Sequence, residues 1–158
     1  GSFKGLKMCF IGDGNNMANS LMVGALKTGM KFSIACPQGY TPDAQLTEWA
    51  KEYGDDFEVT TDVKKAAKDA DVLYTDVWAS MGQEEEKALR EKAFRNYQIN
   101  AEVMECAKKD AMVLHCLPAH RGEEITEDVL EAHADEVFDE AENRLHAQKA
   151  VMCKLLRD

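Results

Sequence analysis

The sequence is short of cationic residues and has no long apolar run, and each absence excludes a class of partner. Lys and Arg number 19 against 29 Asp and Glu, so the 158 residues carry a formal net charge of −10. Nucleic acid and anionic membrane surfaces both require a clustered cationic face, which this sequence lacks. No stretch has the length and apolarity of a transmembrane helix, and none resembles a signal peptide. We therefore expect no nucleic-acid partner and no membrane partner.

The cysteines lack the spacing of a disulfide framework. Their number is odd and no Cys-x-x-Cys pair occurs; they are Cys9, Cys36, Cys106, Cys116 and Cys153. Free thiols of this kind suit a reducing compartment better than a secreted scaffold, so we predict a cytoplasmic location. A chain of this length buries roughly 70% of its unfolded surface on folding. We therefore expect a stable core without a disulfide, a metal or a cofactor.

Short apolar runs alternate with stretches of helical periodicity along the whole chain. The predicted strands are 7–11, 31–36, 57–60, 72–76, 112–116 and a short 136–138. The predicted helices are 15–28, 41–53, 62–68, 83–94, 100–108, 126–132 and 141–156, and their predicted N-caps include Thr41, Asp62, Asn100 and Thr126. This alternation predicts βαβ units, and hence a single α/β domain with a three-layer, doubly wound, Rossmann-like parallel sheet. Gly1-Ser2 resembles the remnant of a cleaved tag, so we assign residues 3–158 to the domain.

Three unusual loops follow predicted strands, at the edge where open parallel sheets bind ligands. The first is Gly-Asp-Gly-Asn-Asn at 12–16. It is either a tight turn into the next helix or a ligand loop in which Asn16, at the helix N-terminus, offers an amide to a polar group. The second is Asp-Val-Trp-Ala-Ser-Met-Gly at 76–82. Asp76 either caps a helix or faces the crevice, and Ser80 and Met81 can supply further contacts.

The third loop, His-Cys-Leu-Pro-Ala-His-Arg-Gly at 115–122, concentrates reactive side chains. A metal site, a Cys/His nucleophile and a buried thiol beside hydrogen-bonded histidines are all compatible with it. An X-Pro bond can be cis, and a cis bond before Pro118 would redirect the carbonyl of Leu117.

Together, the segments GDGNN, YTDVWASMG and HCLPAHRGEE, with Glu-Ala-Glu-Asn-Arg at 140–144, resemble the hallmark segments of ornithine carbamoyltransferases. They cover essentially the whole chain in the order and spacing of that family. The resemblance implies the C-terminal, ornithine-binding half of an enzyme of arginine biosynthesis or ornithine metabolism. In that reaction the δ-amino group of ornithine attacks the carbonyl carbon of carbamoyl phosphate, and citrulline and phosphate leave.

The resemblance also implies roles for individual residues. Those implied to hold ornithine are Asn16, Asp76, Ser80 and Met81, and those implied to approach carbamoyl phosphate are Cys116, Leu117 and Arg144. The implied catalytic residues are Cys116, Asp76 and His115. Asp76 would orient the amine rather than deprotonate it, because a carboxylate raises the pKa of an ammonium. His115 would polarise the carbonyl oxygen as a hydrogen-bond donor.

The family's first domain binds carbamoyl phosphate through a Ser-x-Arg-Thr-Arg loop, which this sequence lacks. In the family that domain also forms the trimer. We therefore expect this chain alone to produce no citrulline, and to be a monomer or a non-native oligomer.

Three other functions stay open. One is a carbamoyltransferase domain for another amine acceptor, such as putrescine or an acylated ornithine, although Ser80-Met81-Gly82 favours free ornithine. Another is a non-catalytic binding or regulatory module, which the missing first domain favours. The last is a nucleotide-binding oxidoreductase domain. The broken Gly-x-Gly-x-x-Gly spacing and the absence of an acidic residue at Cys36-Pro37-Gln38 argue against it.

Overall fold

The computed structural model describes residues 2–79 and 86–157. Within them, five strands alternate with helices along the chain. The strands are β1 (Lys7–Ile11), β2 (Lys31–Ala35), β3 (Phe57–Thr60), β4 (Val72–Thr75) and β5 (Met112–His115). The α-helices are α1 (Asn16–Lys27), α2 (Ala44–Ala50), α3 (Val63–Ala67), α4 (Lys87–Phe94), α5 (Ala101–Met104), α6 (Glu127–Ala132) and α7 (Ala134–Leu155), and a 3₁₀ helix (Lys51–Asp56) follows α2.

The five strands form one parallel sheet in the order β3-β2-β1-β4-β5. The chain winds outward from β1 to β3, then returns to place β4 on the other side of β1, so the winding reverses between β1 and β4. Ile11, Thr75 and His115, the last residues of β1, β4 and β5, are in register. The three unusual loops therefore begin at one edge of the sheet, and the predicted doubly wound α/β fold is confirmed.

Side chains of β1 alternate between two separate hydrophobic clusters. Cys9 and Ile11 face a cluster that includes Phe94 of α4, whereas Phe10 faces a cluster that includes Met22 of α1. Both faces of a parallel sheet have to be covered, because its strands are apolar on both sides. The sheet is thus the middle of three layers, as predicted. Among the described residues, no helix is both long and apolar enough to cross a bilayer.

Two predicted helix N-caps are confirmed and one is wrong. The side chains of Asp62 and Asn100 each accept a hydrogen bond from the backbone N–H three residues later, at 3.0 and 3.1 Å. Thr41 does not cap α2. The Asp43 carboxylate does so instead, by accepting N–H bonds from two and three residues later at 2.9 and 3.0 Å. Because an N-cap satisfies donors in the first turn, α2 begins at Ala44 rather than at the preceding proline.

The predicted short strand at 136–138 is wrong, because these residues lie inside α7. Two carboxylates of α7 cover the open side of β5. Glu136 accepts the backbone N–H of Val113 at 2.8 Å, and Glu140 accepts that of His115 at 3.0 Å. Four residues of helix rise about 6 Å and two residues of strand about 6.6 Å, so the two spacings match. Side chains of α7 thus cover the outer edge of β5, and the segment that was predicted as a sixth strand is helical.

Three further helices differ from prediction in extent. Helix α5 ends at Met104 rather than at residue 108. The final helix begins at Ala134 rather than at residue 141. Helix α4 begins at Lys87, and residues 83–85 of the predicted helix lie outside the described residues. Thr126 precedes α6 as predicted, but its side chain makes no hydrogen bond to that helix.

Candidate functional site

All three loops converge on the carboxylate of Asp76, which follows β4 and is only 8% exposed. Its Oδ1 accepts the backbone N–H of Val77 at 2.8 Å and the thiol of Cys116 at 3.1 Å. Its Oδ2 accepts the side-chain amide of Asn15 at 2.8 Å. A buried carboxylate needs such donors to stay ionised. The site therefore lies at the β1–β4 switch point, where a ligand is expected.

Asn15 links this carboxylate to the start of α1. Its Oδ1 accepts the backbone N–H groups of Met17 and Ala18 at 3.0 and 3.1 Å, so Asn15 is the N-cap of the helix. Sequence reasoning singled out Asn16 and missed Asn15. The structure places Asn16 as the first residue of α1, with an exposed side chain. The preference of Asn for the N-cap position was the signal that could have identified Asn15.

The loop after β1 approaches the backbone of the loop after β2 closely at Gly14. A Cβ atom there would lie 2.2 Å from Pro42 N and 2.2 Å from Thr41 C. The backbone N–H of Gly14 also donates to the carbonyl of Tyr40 at 2.8 Å. Only glycine can be accommodated at position 14, because any Cβ would clash with the backbone of the loop after β2. This close packing of the two loops places Asn15 beside Asp76.

Arg90 of α4 contacts Asp13 in the loop after β1, and it was not identified from the sequence. Its guanidinium donates to Asp13 Oδ2 at 2.6 Å and to the carbonyl of Trp78 at 2.9 Å. It also lies 5.2 Å from the ring centroid of Tyr40, a cation–π distance. The side chain is nearly buried, so its charge has to be paired. An arginine four residues before the core residue Phe94 was the only sequence signal.

The thiol of Cys116 is held in its neutral form. Burial, followed by the neighbouring charge and hydrogen bond of Asp76, raises the pKa of Cys116 to about 12. A nucleophilic cysteine requires a lowered pKa and a nearby base. The His115 side chain makes its hydrogen bonds elsewhere, so this arrangement favours a thiol that donates a hydrogen bond over a thiolate that attacks.

His115 is completely buried, and both of its ring nitrogens are engaged. Nδ1 accepts the backbone N–H of Leu117 at 2.9 Å, so Nε2 carries the proton and donates to Glu124 Oε1 at 3.0 Å. The ring therefore has no N–H left for a substrate oxygen in this arrangement. The donor role implied by the resemblance stays a prediction.

Glu124 connects the two ends of the third loop and was also missed from the sequence. Its Oε1 accepts the backbone N–H of His120 at 2.6 Å in addition to the bond from His115. Leu117, which lies between His115 and His120, has a positive φ of 53°. Its peptide bond to Pro118 is cis, as the sequence allowed. The loop shape at Leu117 thus depends on a buried histidine–glutamate pair.

The third loop also contains the one group of possible metal ligands found among the described residues. Side-chain atoms of His120, Glu123 and Glu124 lie within 4.8 Å of one another. This set offers one nitrogen and two carboxylates, which is one ligand short of a closed zinc site. Glu124 Oε1 already accepts two N–H bonds, whereas Oε2 is buried and has no hydrogen-bond partner among the described residues.

Arg144 lies on α7, one helical turn after Glu140. Glu136 accepts the N–H of Val113 within β5, and Glu140 accepts that of His115, the last residue of the strand. The next turn of α7 therefore lies beyond the carboxyl end of β5. The Arg144 side chain is exposed there. Glu140 also accepts the hydroxyl of Tyr74; burial, followed by this bond, raises the pKa of Tyr74, so the hydroxyl remains a donor.

Ser80 and Met81, predicted to hold ornithine, lie outside the described residues. The neighbouring Trp78 is buried, and its indole N–H donates to the carbonyl of Tyr97 at 3.2 Å. Its position indicates packing rather than ligand contact.

The fold and the site define an α/β domain with a cluster of polar side chains at the switch point of a parallel sheet, the place where such sheets bind ligands. Residues 4–155 match the family described as aspartate/ornithine carbamoyltransferase, Asp/Orn binding domain. The chain belongs to this family, and the resemblance drawn from its motifs is confirmed.

Among the relatives, the ornithine carbamoyltransferase of Methanosarcina mazei is 54% identical over 155 residues, which is 98% of this chain and 51% of that protein. The enzyme of Oceanobacillus iheyensis is 53% identical over 162 residues, covering 100% of this chain and 50% of that protein. The chain spans about half the length of the curated relatives it matches.

Solved structures give the same result. The ornithine carbamoyltransferase of Pyrococcus furiosus superposes with a TM-score of 0.88 at 53% identity, over 96% of this chain and 50% of that one. The anabolic enzyme of Campylobacter jejuni has a TM-score of 0.90 at 44% identity, over 95% of this chain and 51% of that one.

Proposed function

We propose that this chain is the ornithine-binding part of an ornithine carbamoyltransferase. The reaction transfers the carbamoyl group of carbamoyl phosphate to the δ-amino group of ornithine, giving citrulline and phosphate. The observation that carries the proposal is the Asp76 carboxylate, which is buried at the switch point yet not saturated. A carboxylate has about four lone-pair sites, and among the described residues three donors occupy them. The remaining site on Oδ2 suits an alkylammonium or amine.

Asp76 acts as an orienting group in this proposal. A free alkylammonium has a pKa of about 10.4 and has to lose a proton before it attacks. A carboxylate stabilises the charged form, so Asp76 does not promote that loss. Its contribution is to hold the δ-nitrogen in line with the carbonyl carbon, and the departing phosphate accepts the proton. The neutral thiol of Cys116 beside it adds a second polar contact without adding charge.

Carbamoyl phosphate would be bound from the side of β5. Arg144 lies beyond the carboxyl end of that strand, and its guanidinium suits bidentate contact with phosphate. Leu117 precedes the cis bond at the same edge, where its backbone can approach the carbamoyl group. Most of the phosphate-binding charge would come from the part of the relatives that this chain does not match. In this proposal the complete enzyme is a cytoplasmic trimer.

The ornithine backbone would be bound at the first and second loops. Asn16 lies at the N-terminus of α1, where the helix dipole favours a carboxylate. Ser80 and Met81 complete the set in the proposal. Polar partners of this kind distinguish free ornithine, which carries an α-amino group and an α-carboxylate, from putrescine.

Calorimetry with L-ornithine tests the binding function directly. We expect this chain to bind L-ornithine more tightly than putrescine or N-acetylornithine, and the Asp76→Asn variant to lose at least tenfold in affinity, as expected for a hydrogen bond to a charged group. The matched control is Asp62→Asn, because Asp62 caps α3 after β3, which is separated from β1 and β4 by β2 in the sheet. Equal affinity for all three amines, or an unaffected Asp76→Asn variant, would contradict the proposal.

Turnover requires the complementary half. A chimaera in which this chain replaces the matching half of the Methanosarcina mazei enzyme should form citrulline, whereas the chain alone should not. Ornithine binding without turnover in a folded chimaera would favour the non-catalytic binding module instead.

A further inference from the structure

Asn15 connects the Asp76 carboxylate to the backbone of α1 through the two ends of one amide. The amide nitrogen donates to Asp76 Oδ2 at 2.8 Å. The amide oxygen accepts the N–H groups of Met17 and Ala18 at 3.0 and 3.1 Å. We propose that Asn15 is the positioning residue that fixes the orientation of the Asp76 carboxylate toward the amine substrate. The link of this role to the reaction rests on the proposed function, whereas the hydrogen bonds of Asn15 are observed independently of it.

The orientation of the Asn15 amide is itself determined by its partners. Exchanging its oxygen and nitrogen would place an NH₂ group against the two N–H donors of α1 and an oxygen against the Asp76 carboxylate. Both contacts would become repulsive, so only one of the two amide orientations is stable. The first turn of a helix thereby sets the direction of a donor in the ligand crevice.

The amide of Asn15 supplies the hydrogen bond that holds Oδ2 of Asp76. Its Oδ1 is held by Val77 and Cys116, but among the described residues Asn15 is the one partner of Oδ2. Without Asn15 the carboxylate can rotate about its last bond and present Oδ2 in more than one direction. A rotating acceptor holds an amine less well than a fixed one, because orientation is then lost in the bound state.

Two substitutions separate the positioning role from the capping role. Asn15→Ser and Asn15→Asp both retain a good N-cap. Asn15→Ser has a side chain one bond shorter and removes the amide donor without adding charge. Asn15→Asp places a carboxylate against Asp76. The matched controls are Asn100→Ser and Asn100→Asp, because Asn100 caps α5 with the same chemistry and, among the described residues, its amide donates to no carboxylate. Thermal unfolding of Asn15→Ser and of both Asn100 variants should therefore remain close to that of the wild type. Asn15→Asp should unfold at a lower temperature at neutral pH, because its carboxylate repels that of Asp76.

The decisive measurement follows the side-chain carboxyl carbon of Asp76 by NMR as a function of pH, on this chain without any ligand. We expect the titration midpoint to move to higher pH by about one unit or more in Asn15→Asp, since two facing carboxylates share a proton. A side chain at position 15 that caps α1 without facing Asp76 predicts no such shift, and Asn100→Asp should show none. An Asp76 titration that is identical in Asn15→Asp and Asn100→Asp would overturn the proposal.

Calorimetry with L-ornithine then tests the link to the substrate. Asn15→Ser should bind L-ornithine about tenfold more weakly than the wild type, as expected for one hydrogen bond to a charged group, and Asn100→Ser should bind it normally. If the wild type does not bind ornithine, the proposed function fails while the NMR titration still decides the role of Asn15. If the wild type binds and Asn15→Ser binds equally well, the positioning role is wrong and the proposed function stands.

Discussion

The thiol of Cys116 donates a hydrogen bond to Oδ1 of Asp76 across 3.1 Å, which joins the loop after β5 to the loop after β4. The two residues are 40 positions apart in the sequence. Each changes the chemistry of the other: the carboxylate keeps the thiol protonated, and the thiol supplies a donor that a buried carboxylate needs.

The first prediction concerns the reactivity of Cys116. Its pKa of about 12, against an ordinary value of 9.0, lowers the thiolate fraction near neutral pH about a thousandfold. Iodoacetamide should therefore modify exposed Cys153 rapidly and Cys116 very slowly at pH 7.5, as followed by peptide mass spectrometry. Asp76→Asn should accelerate modification of Cys116, because it removes the charge that disfavours the thiolate. Rapid modification of Cys116 in the wild type would contradict the assigned hydrogen bond.

The second prediction concerns the close approach at Gly14. Gly14→Ala places a Cβ 2.2 Å from the backbone of the loop after β2, so that backbone has to move. We expect a loss of about 1–3 kcal/mol in the free energy of unfolding, the usual cost of overpacking. Gly24→Ala is the matched control, since nothing lies within 4 Å of its Cβ and it is inside α1. That variant should gain about 0.5–1 kcal/mol. Urea denaturation of both variants measures the difference.

The third prediction concerns the buried pair of His115 and Glu124. Glu124→Ala leaves the buried Nε2–H of His115 and the part-buried backbone N–H of His120 without an acceptor, so it should destabilise the chain by about 2 kcal/mol or more. Glu124→Gln should recover part of this loss, because an amide oxygen still accepts. In the wild type, ¹⁵N NMR should report a proton on Nε2 of His115 and none on Nδ1. A proton on Nδ1 would show that the hydrogen bond from Leu117 is wrongly assigned.

The fourth prediction concerns the carboxylates that cover β5. In the double variant Glu136→Ala/Glu140→Ala, hydrogen exchange at the backbone amides of Val113 and His115 should accelerate, because both N–H groups lose their acceptors. Glu142→Ala is the control, since Glu142 is exposed on α7 and contacts His146 instead. Equal exchange rates in the two variants would mean that these amides are protected in another way.

Local patterns were sufficient for most of the fold. Apolar runs bounded by turn residues identified all five strands to within one residue, because each strand of a parallel sheet is buried on both faces. The exception, the segment at 136–138, has the local character of a strand. Its helical state depends on contacts with β5, and a single-sequence pattern does not contain such contacts.

Some features of the site were likewise predicted from the sequence, and others were found only in the structure. The motifs identified the three loops and the crevice they share, since connection rules place the carboxyl ends of parallel strands at one edge. They did not identify Asn15, Glu124 or Arg90 as partners of the site residues. Asn15 and Arg90 act across more than sixty residues of sequence, and Glu124 acts across nine. The direction of each hydrogen bond depends on how the loops fold.

The sequence by itself therefore determined the class of fold, the family and the loops that carry the chemistry, because these follow from local periodicity and short motifs. Only the tertiary structure decided which oxygen of Asp76 accepts the fewer hydrogen bonds from the described residues, that the thiol of Cys116 is a donor, and that His115 faces Glu124. The physical reason is that hydrogen bonds and burial depend on the angles between segments and on distances that matter to tenths of an ångström. Those are set by the packing of all three layers together.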